Sequence, residues 1–145
     1  MGKKYIVCDS ARSNWGKTEL LTEVIRILSS KYKPIDYHTE GRDSYVYYKL
    51  DNGKTVFVST LGDPGSGYLN WWQKGIDLEA DIFICACRTG GYTLNNLINL
   101  ANTHHYEIIW FKNFHFEDHS YVLTPTYAMV QDLEATHICD MIHLL

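Results

Sequence analysis

Residues 5 to 28 constrain the fold more than any other stretch of the chain. Tyr5-Ile6-Val7-Cys8 is a short apolar run of strand type, and Leu20, Leu21, Val24, Ile25, Ile27 and Leu28 recur at helical spacing. Between them lies Ala11-Arg12-Ser13-Asn14-Trp15-Gly16-Lys17-Thr18. A strand that runs through such a loop directly into a helix gathers backbone N–H groups where the helix dipole is positive, which suits an anion. The ammonium of Lys17 and the hydroxyl of Thr18, a possible Mg²⁺ ligand, add what a triphosphate tail requires.

The remaining segments repeat this alternation. Ile35-Asp36-Tyr37-His38 has strand character, and the chain then turns polar at Thr39-Glu40-Gly41-Arg42-Asp43. Two β-rich runs, residues 45–50 and 55–60, flank Asp51-Asn52-Gly53-Lys54, which predicts a hairpin whose two central residues both take positive φ. Tyr68 to Glu79 is read as a helix carrying Trp71 and Trp72, and Asp81 to Cys87 as a strand covered on both faces, since it is apolar almost throughout. After Arg88-Thr89-Gly90-Gly91, the residues Leu94, Leu97, Ile98 and Ala101 share one helical face opposite four asparagines. Glu107 to Phe111 is a further strand, residues 112–125 an aromatic and histidine-rich connection, and Tyr127 to Leu144 a last helix with Val130, Leu133, Ile138, Met141, Ile142 and Leu145 as its apolar positions. The expected class is α/β: a three-layer sandwich with a mostly parallel central sheet and one antiparallel hairpin.

Composition narrows the choices. A chain of 145 residues fits one domain, 1–145, with a single core. A formal net charge of −4 with both signs interspersed provides no basic stripe for a phosphate backbone, so nucleic acid is not the expected partner. No apolar run reaches the roughly eighteen residues needed to cross a bilayer. Residues 1–6 lack both a signal-peptide apolar region and a myristoylation serine or threonine, so no membrane partner and a cytoplasmic location are expected. Cys8, Cys85, Cys87 and Cys139 fall in apolar runs or a helical pattern without a C-x-x-C pair, and read as buried free thiols.

The match from Ala11 to Thr18, set between strand and helix, resembles the Walker A motif of P-loop NTPases. The resemblance spans residues 5–28 and extends more weakly to residue 65. It implies that Lys17 contacts the β- and γ-phosphates and that Thr18 holds Mg²⁺. The amides of Ser13, Asn14, Trp15, Gly16, Lys17 and Thr18 would wrap the β-phosphate. Ala11 stands where glycine is commoner and requires negative φ there. Asp63, in Leu61-Gly62-Asp63-Pro64-Gly65, resembles the Walker B or switch II acid and would be the second Mg²⁺ ligand; Asp-Pro-Gly is also a turn-forming tripeptide. Cys8-Asp9-Ser10 is similar to the short acidic stretch of dethiobiotin synthetase and its relatives, and Asp9 equally suits a hydrogen bond to the loop's own amides. The hairpin ahead of Asp63 is similar to the Ras-like strand order.

Phosphoryl transfer calls for a cation beyond Lys17. Arg12, Arg42 and Arg88 are the candidates, with Arg88 preferred because it follows a core strand at the edge where ligands bind. Lys17, Asp63 and Arg88 therefore form the expected catalytic set. His115 and His119 sit at i, i+4 but lack the H-E-x-x-H order of a zinc site. Trp110-Phe111-Lys112-Asn113-Phe114 is not the Asn-Lys-x-Asp with which the resembling GTPases read guanine, so ATP is favoured and GTP stays open. Three activities fit: Mg²⁺-dependent hydrolysis of ATP or GTP, a small-molecule or nucleotide kinase of the same fold, and a non-catalytic nucleotide-binding regulatory domain. The resemblance also leaves open a protein partner or a homodimer that supplies a cation.

Overall fold

A computed structural model describes residues 2–10, 17–62, 66–112 and 125–145, with residues 125–128 described by backbone alone. The first apolar run becomes β1 (Lys4–Ser10), and the helical repeat after it becomes α1 (Lys17–Lys31). There follow β2 (Asp36–Glu40), β3 (Asp43–Lys49), β4 (Thr55–Ser59), α2 (Tyr68–Asp77), β5 (Ile82–Cys87), α3 (Tyr92–His104), β6 (Tyr106–Phe111) and α4 (Pro125–Ile142). One six-stranded sheet runs in the order β2-β3-β4-β5-β1-β6. The pairs β4·β5, β5·β1 and β1·β6 are parallel, whereas β2·β3 and β3·β4 are antiparallel. The sheet is therefore mixed, with a three-stranded antiparallel end in place of a single hairpin on a mostly parallel sheet. A Ras-like order would set the hairpin strand directly beside the strand that leads into Ala11–Thr18, yet β5 lies between β4 and β1.

The antiparallel end is larger than expected because Thr39, Glu40 and Asp43 pair as strand residues around a two-residue turn, Gly41-Arg42. Gly41 has φ +62° and Arg42 is not in the positive-φ region, the pattern of a type II′ hairpin with glycine first. At the second hairpin the expected pair of positive φ values is not found. Only Gly53 is left-handed, at +86°, and Leu50 N–H donates to Lys54 O while Gly53 N–H donates to Leu50 O. This is a three-residue loop with a glycine bulge; Asn52 spends its side chain on Lys54 N–H instead of adopting positive φ.

The sheet is covered on both faces. Alternation along β1 sends Val7 to the face covered by α1 and α4, with Leu20, Leu21, Val24, Leu28, Ala135 and Ile138. Ile6 and Cys8 go to the other face, against Tyr68, Trp72 and Ile76 of α2 and Leu97 and Ala101 of α3. All six residues of β5 are buried, as a strand with helices on both sides requires. On the α2 side an aromatic stack, Phe57 on Phe83 at 5.3 Å with Trp72 edge-on to Phe83 at 6.4 Å, fills the layer. Two apolar expectations change. Leu133 and Ile98 are exposed, and α4 turns Gln131 and Glu134 inward beside Ala135 and Ile138. Among the described residues no helix is long and apolar enough to cross a membrane.

Tyr106 ties the start of β6 to the turn before β5, its hydroxyl donating to Ala80 O at 2.6 Å. Burial, ahead of the charges of Asp81 and Glu79, pushes its phenol up to about 12. The folded state thus favours the neutral phenol, and an unfolded tyrosine ionises near pH 10. This contribution to stability is complete below pH 10 and is lost as pH rises from 10 toward 12, by about 3 kcal/mol over the interval. In Tyr106→Phe the urea midpoint should fall by about 1 kcal/mol equivalent at neutral pH and then decline less steeply than wild type above pH 10. Parallel pH profiles for the two proteins would refute the assignment.

Candidate functional site

Adjacent strands β1 and β5 send their following helices to opposite faces: α1 joins the α4 layer and α3 joins the α2 layer. In an α/β sheet this reversal opens a crevice at the carboxyl ends of the two strands, and ligands bind there. Ser10 ends β1 opposite Cys87 at the end of β5. The helices α1, α2 and α3 all begin at this edge, because each follows a strand of the parallel part of the sheet. Gly67 and Gly91 occupy the N-cap positions of α2 and α3 without a side-chain cap, and neither helix has an acidic residue in its first turn. Within their own caps and first turns these helices carry no acidic side chain to offset the positive end.

Lys17 opens α1 with only 7% of its surface exposed, and Asp9, at 1%, is buried near the end of β1 on the α1 face. Thr18 follows, half-buried, and Glu19 is the acidic residue of that first turn. The Cys87 thiol is pushed far up by its contact with Cys8, 3.2 Å away, and by burial, while the field of Lys17 pulls it down. That field links Lys17 to the end of β5. Burial likewise pushes the thiols of Cys8 and Cys85 up, with the charge of Asp9 adding to both. The four cysteines are buried free thiols held protonated, which makes them poor nucleophiles.

Arg88 follows β5, its backbone N–H held by Thr93 Oγ1 at 3.2 Å, so the segment 88–91 folds back on the first turn of α3. Arg42 reaches the same edge from the opposite direction. Because β3 is antiparallel to β4, the Gly41-Arg42 turn lies beside the end of β4, and Thr60 Oγ1 donates to Asp43 Oδ1 at 2.8 Å and accepts from Ser44 N–H at 3.0 Å. The Arg42 guanidinium sits 3.4 Å from Glu19. With Thr18 and Thr22 these two residues line an open depression of about 480 Å³ against the first turns of α1.

The structure therefore brings Lys17, Thr18, Asp9, Arg42 and Arg88 to one edge of the sheet. Ala11 to Gly16, including Arg12, Ser13, Asn14 and Trp15, together with Asp63 and the pair His115 and His119, lie outside the described residues. No cluster of three or more His, Cys, Asp or Glu side chains suited to a metal ion occurs among the described residues. On sequence pattern alone Arg88 is the preferred cation and Arg42 a loop residue. Its approach to Glu19 depends on the strand order β2-β3-β4, which the local pattern of residues 36–43 does not encode. Compared with known proteins, the chain matches no protein-family model, no curated protein and no solved structure.

Proposed function

We propose that this chain is a cytoplasmic, Mg²⁺-dependent nucleotide-binding protein that hydrolyses ATP, with GTP as the alternative nucleotide. The observation that carries the reading is Lys17: an ammonium buried in the first turn of α1, beside the crevice between β1 and β5. A helix N-terminus disfavours a cation, and a buried ammonium is kept only where negative charge or polar partners meet it. An anion held by the same turn would be one such partner, in the place where a triphosphate tail needs a positive charge. The sequence around it, Ala11 to Thr18, is of the kind that wraps a β-phosphate with its amides, and the uncapped starts of α2 and α3 add positive potential at the same edge.

Thr18, half-buried next to Lys17, offers a hydroxyl of the type that completes an Mg²⁺ shell, and the sequence resemblance names Asp63 as the carboxylate that would join it. Mg²⁺ generally takes one or two protein oxygens with phosphate oxygens and water, so a hydroxyl and one acid are a sufficient protein set. Bound there, the ion would neutralise charge shared by the β- and γ-phosphates. Arg88 enters this site as a cation for the charge that develops on the transferred group. A kinase reading gains support from one observation, the depression at Thr18, Glu19, Thr22 and Arg42, which leaves room for an acceptor beside the phosphates.

Calorimetric titration with Mg·ATP and Mg·GTP tests the nucleotide reading. Saturable binding below millimolar concentration, followed by phosphate release without an added acceptor, is the expected result. ADP formation that needs an acceptor would select the kinase, and binding without turnover the regulatory domain. Absence of binding to either nucleotide at millimolar concentration would reject all three.

A further inference from the structure

Resting on that nucleotide reading, we propose that Arg42, delivered by the β2–β3 turn, contacts the terminal phosphate and lets this site tell a triphosphate from a diphosphate. Its guanidinium carries five N–H donors on a planar fork. Among the described residues only Nη2 has a partner, Glu19 Oε1 at 3.4 Å, which leaves the N–H donors of Nε and Nη1 available. Glu19 directly follows Thr18, so its carboxylate brings the guanidinium over the first turn of α1 and to the rim of the depression that Thr18 and Thr22 also line.

Two physical features favour this use of Arg42. The ion pair is solvent-exposed, with side-chain exposures of 80% and 47%, and such pairs contribute little stability, about 0–1 kcal/mol. Arg42 is therefore cheap to reorient, or it bridges carboxylate and phosphate with its two edges. A carboxylate in the first turn of α1 would also repel a bound triphosphate, and Arg42 screens that repulsion as it binds. The turn that carries it is firmly based. Gly41 takes the left-handed position, Glu40 pairs with Asp43, and Thr60 fixes Asp43 and Ser44 to the end of β4. A two-residue turn on a pinned base fixes the backbone from which the Arg42 side chain reaches, so only the side chain itself is ordered on binding.

The test compares affinity for the β,γ-imido analogue of ATP with affinity for ADP, both with Mg²⁺. Arg42→Ala should weaken analogue binding about tenfold or more and leave ADP binding within about twofold of wild type, since the lost contact is a charge-assisted bond to the third phosphate alone. Arg42→Lys should recover part of the loss. ADP affinity serves as the folding control for each variant. An unchanged analogue-to-ADP ratio in Arg42→Ala would overturn the assignment while leaving the nucleotide reading in place. Wild-type protein that bound neither ligand would instead remove the reading on which the assignment rests.

Discussion

Lys17→Ala is expected to lower Mg·ATP affinity by about two to three orders of magnitude and to abolish measurable turnover. Removing one partner of a desolvated charge pair costs about 2–5 kcal/mol, and about 1.4 kcal/mol is a factor of ten. Lys17 combines burial with a position at the start of α1, so solvent would screen its contact with a phosphate far less than it screens an exposed lysine. Calorimetry against Mg·ATP, with circular dichroism and thermal melting as controls, makes the measurement. Alanine is compatible with a first helical turn, and the α1 core contacts through Leu20, Leu21 and Val24 remain, so the melt should keep its cooperativity. Binding within threefold of wild type in a folded Lys17→Ala protein would mean that the buried ammonium serves packing alone, and the nucleotide reading would fall.

What the sequence makes legible, and what it does not, follows from how local each cause is. The apolar run Ile82 to Cys87 is a buried strand because nothing polar interrupts it, and that needs no knowledge of its neighbours. The repeat from Leu20 to Leu28 likewise produces α1 with its inward face as expected. The polar stretch 39–43 is different. Glu40 and Asp43 have weak strand propensity on their own, and with Thr39 they become strand residues by pairing across Gly41-Arg42 and by the anchorage of Asp43 to Thr60. In α4, Leu133 fits the apolar repeat but points to solvent, while Glu134 and Gln131 are buried. An apolar period fixes a stripe only to within one neighbouring position, and the fit against α1 selects Ala135, Ile138, Cys139 and Ile142.

The candidate site divides along the same line. Lys17 and Thr18 are legible because strand, loop and helix are consecutive in the chain, so the motif carries its own placement. Arg42 is not, since 23 residues separate it from Glu19 and its position depends on β3 turning back along β4. The mixed sheet also could not be read from the strands themselves. Whether β4 adjoins β1 or β5 depends on where the crossovers pass, and the alternating patterns of β3 and β4 serve either order.

The second large effect is expected at Gly62, and a comparison with Gly75 isolates its cause. Neither glycine has positive φ, so backbone strain does not enter and only space decides. A Cβ at Gly62 would run into the carbonyl oxygen and carbon of Ala86, which belong to a fully buried central strand paired on both sides. That backbone cannot yield without breaking its ladder, so the segment after β4 must lift away from β5. Gly62→Ala should therefore cost about 3 kcal/mol, the upper part of the usual range for overpacking, and lower the melting temperature by about 10 °C. A Cβ at Gly75 would meet ring carbons, Cε2 of Phe83 nearest and then Cδ1 of Phe57 and Cδ2 of Phe83 both at 2.7 Å, so two buried side chains must shift where at Gly62 it is strand backbone that must. Replacing a mid-helix glycine also returns about 1 kcal/mol of helix propensity, so Gly75→Ala should cost only about 1–2 kcal/mol. The functional outcomes should separate further. Gly62 immediately precedes Asp63 and is pressed against the strand that forms one wall of the crevice, so its variant should lose turnover at temperatures where it remains folded. Gly75 packs in the aromatic layer below α2, and its variant should bind Mg·ATP as wild type does. Equal losses of nucleotide affinity in the two folded variants would show that the approach of Gly62 to Ala86 has no special role in shaping the site.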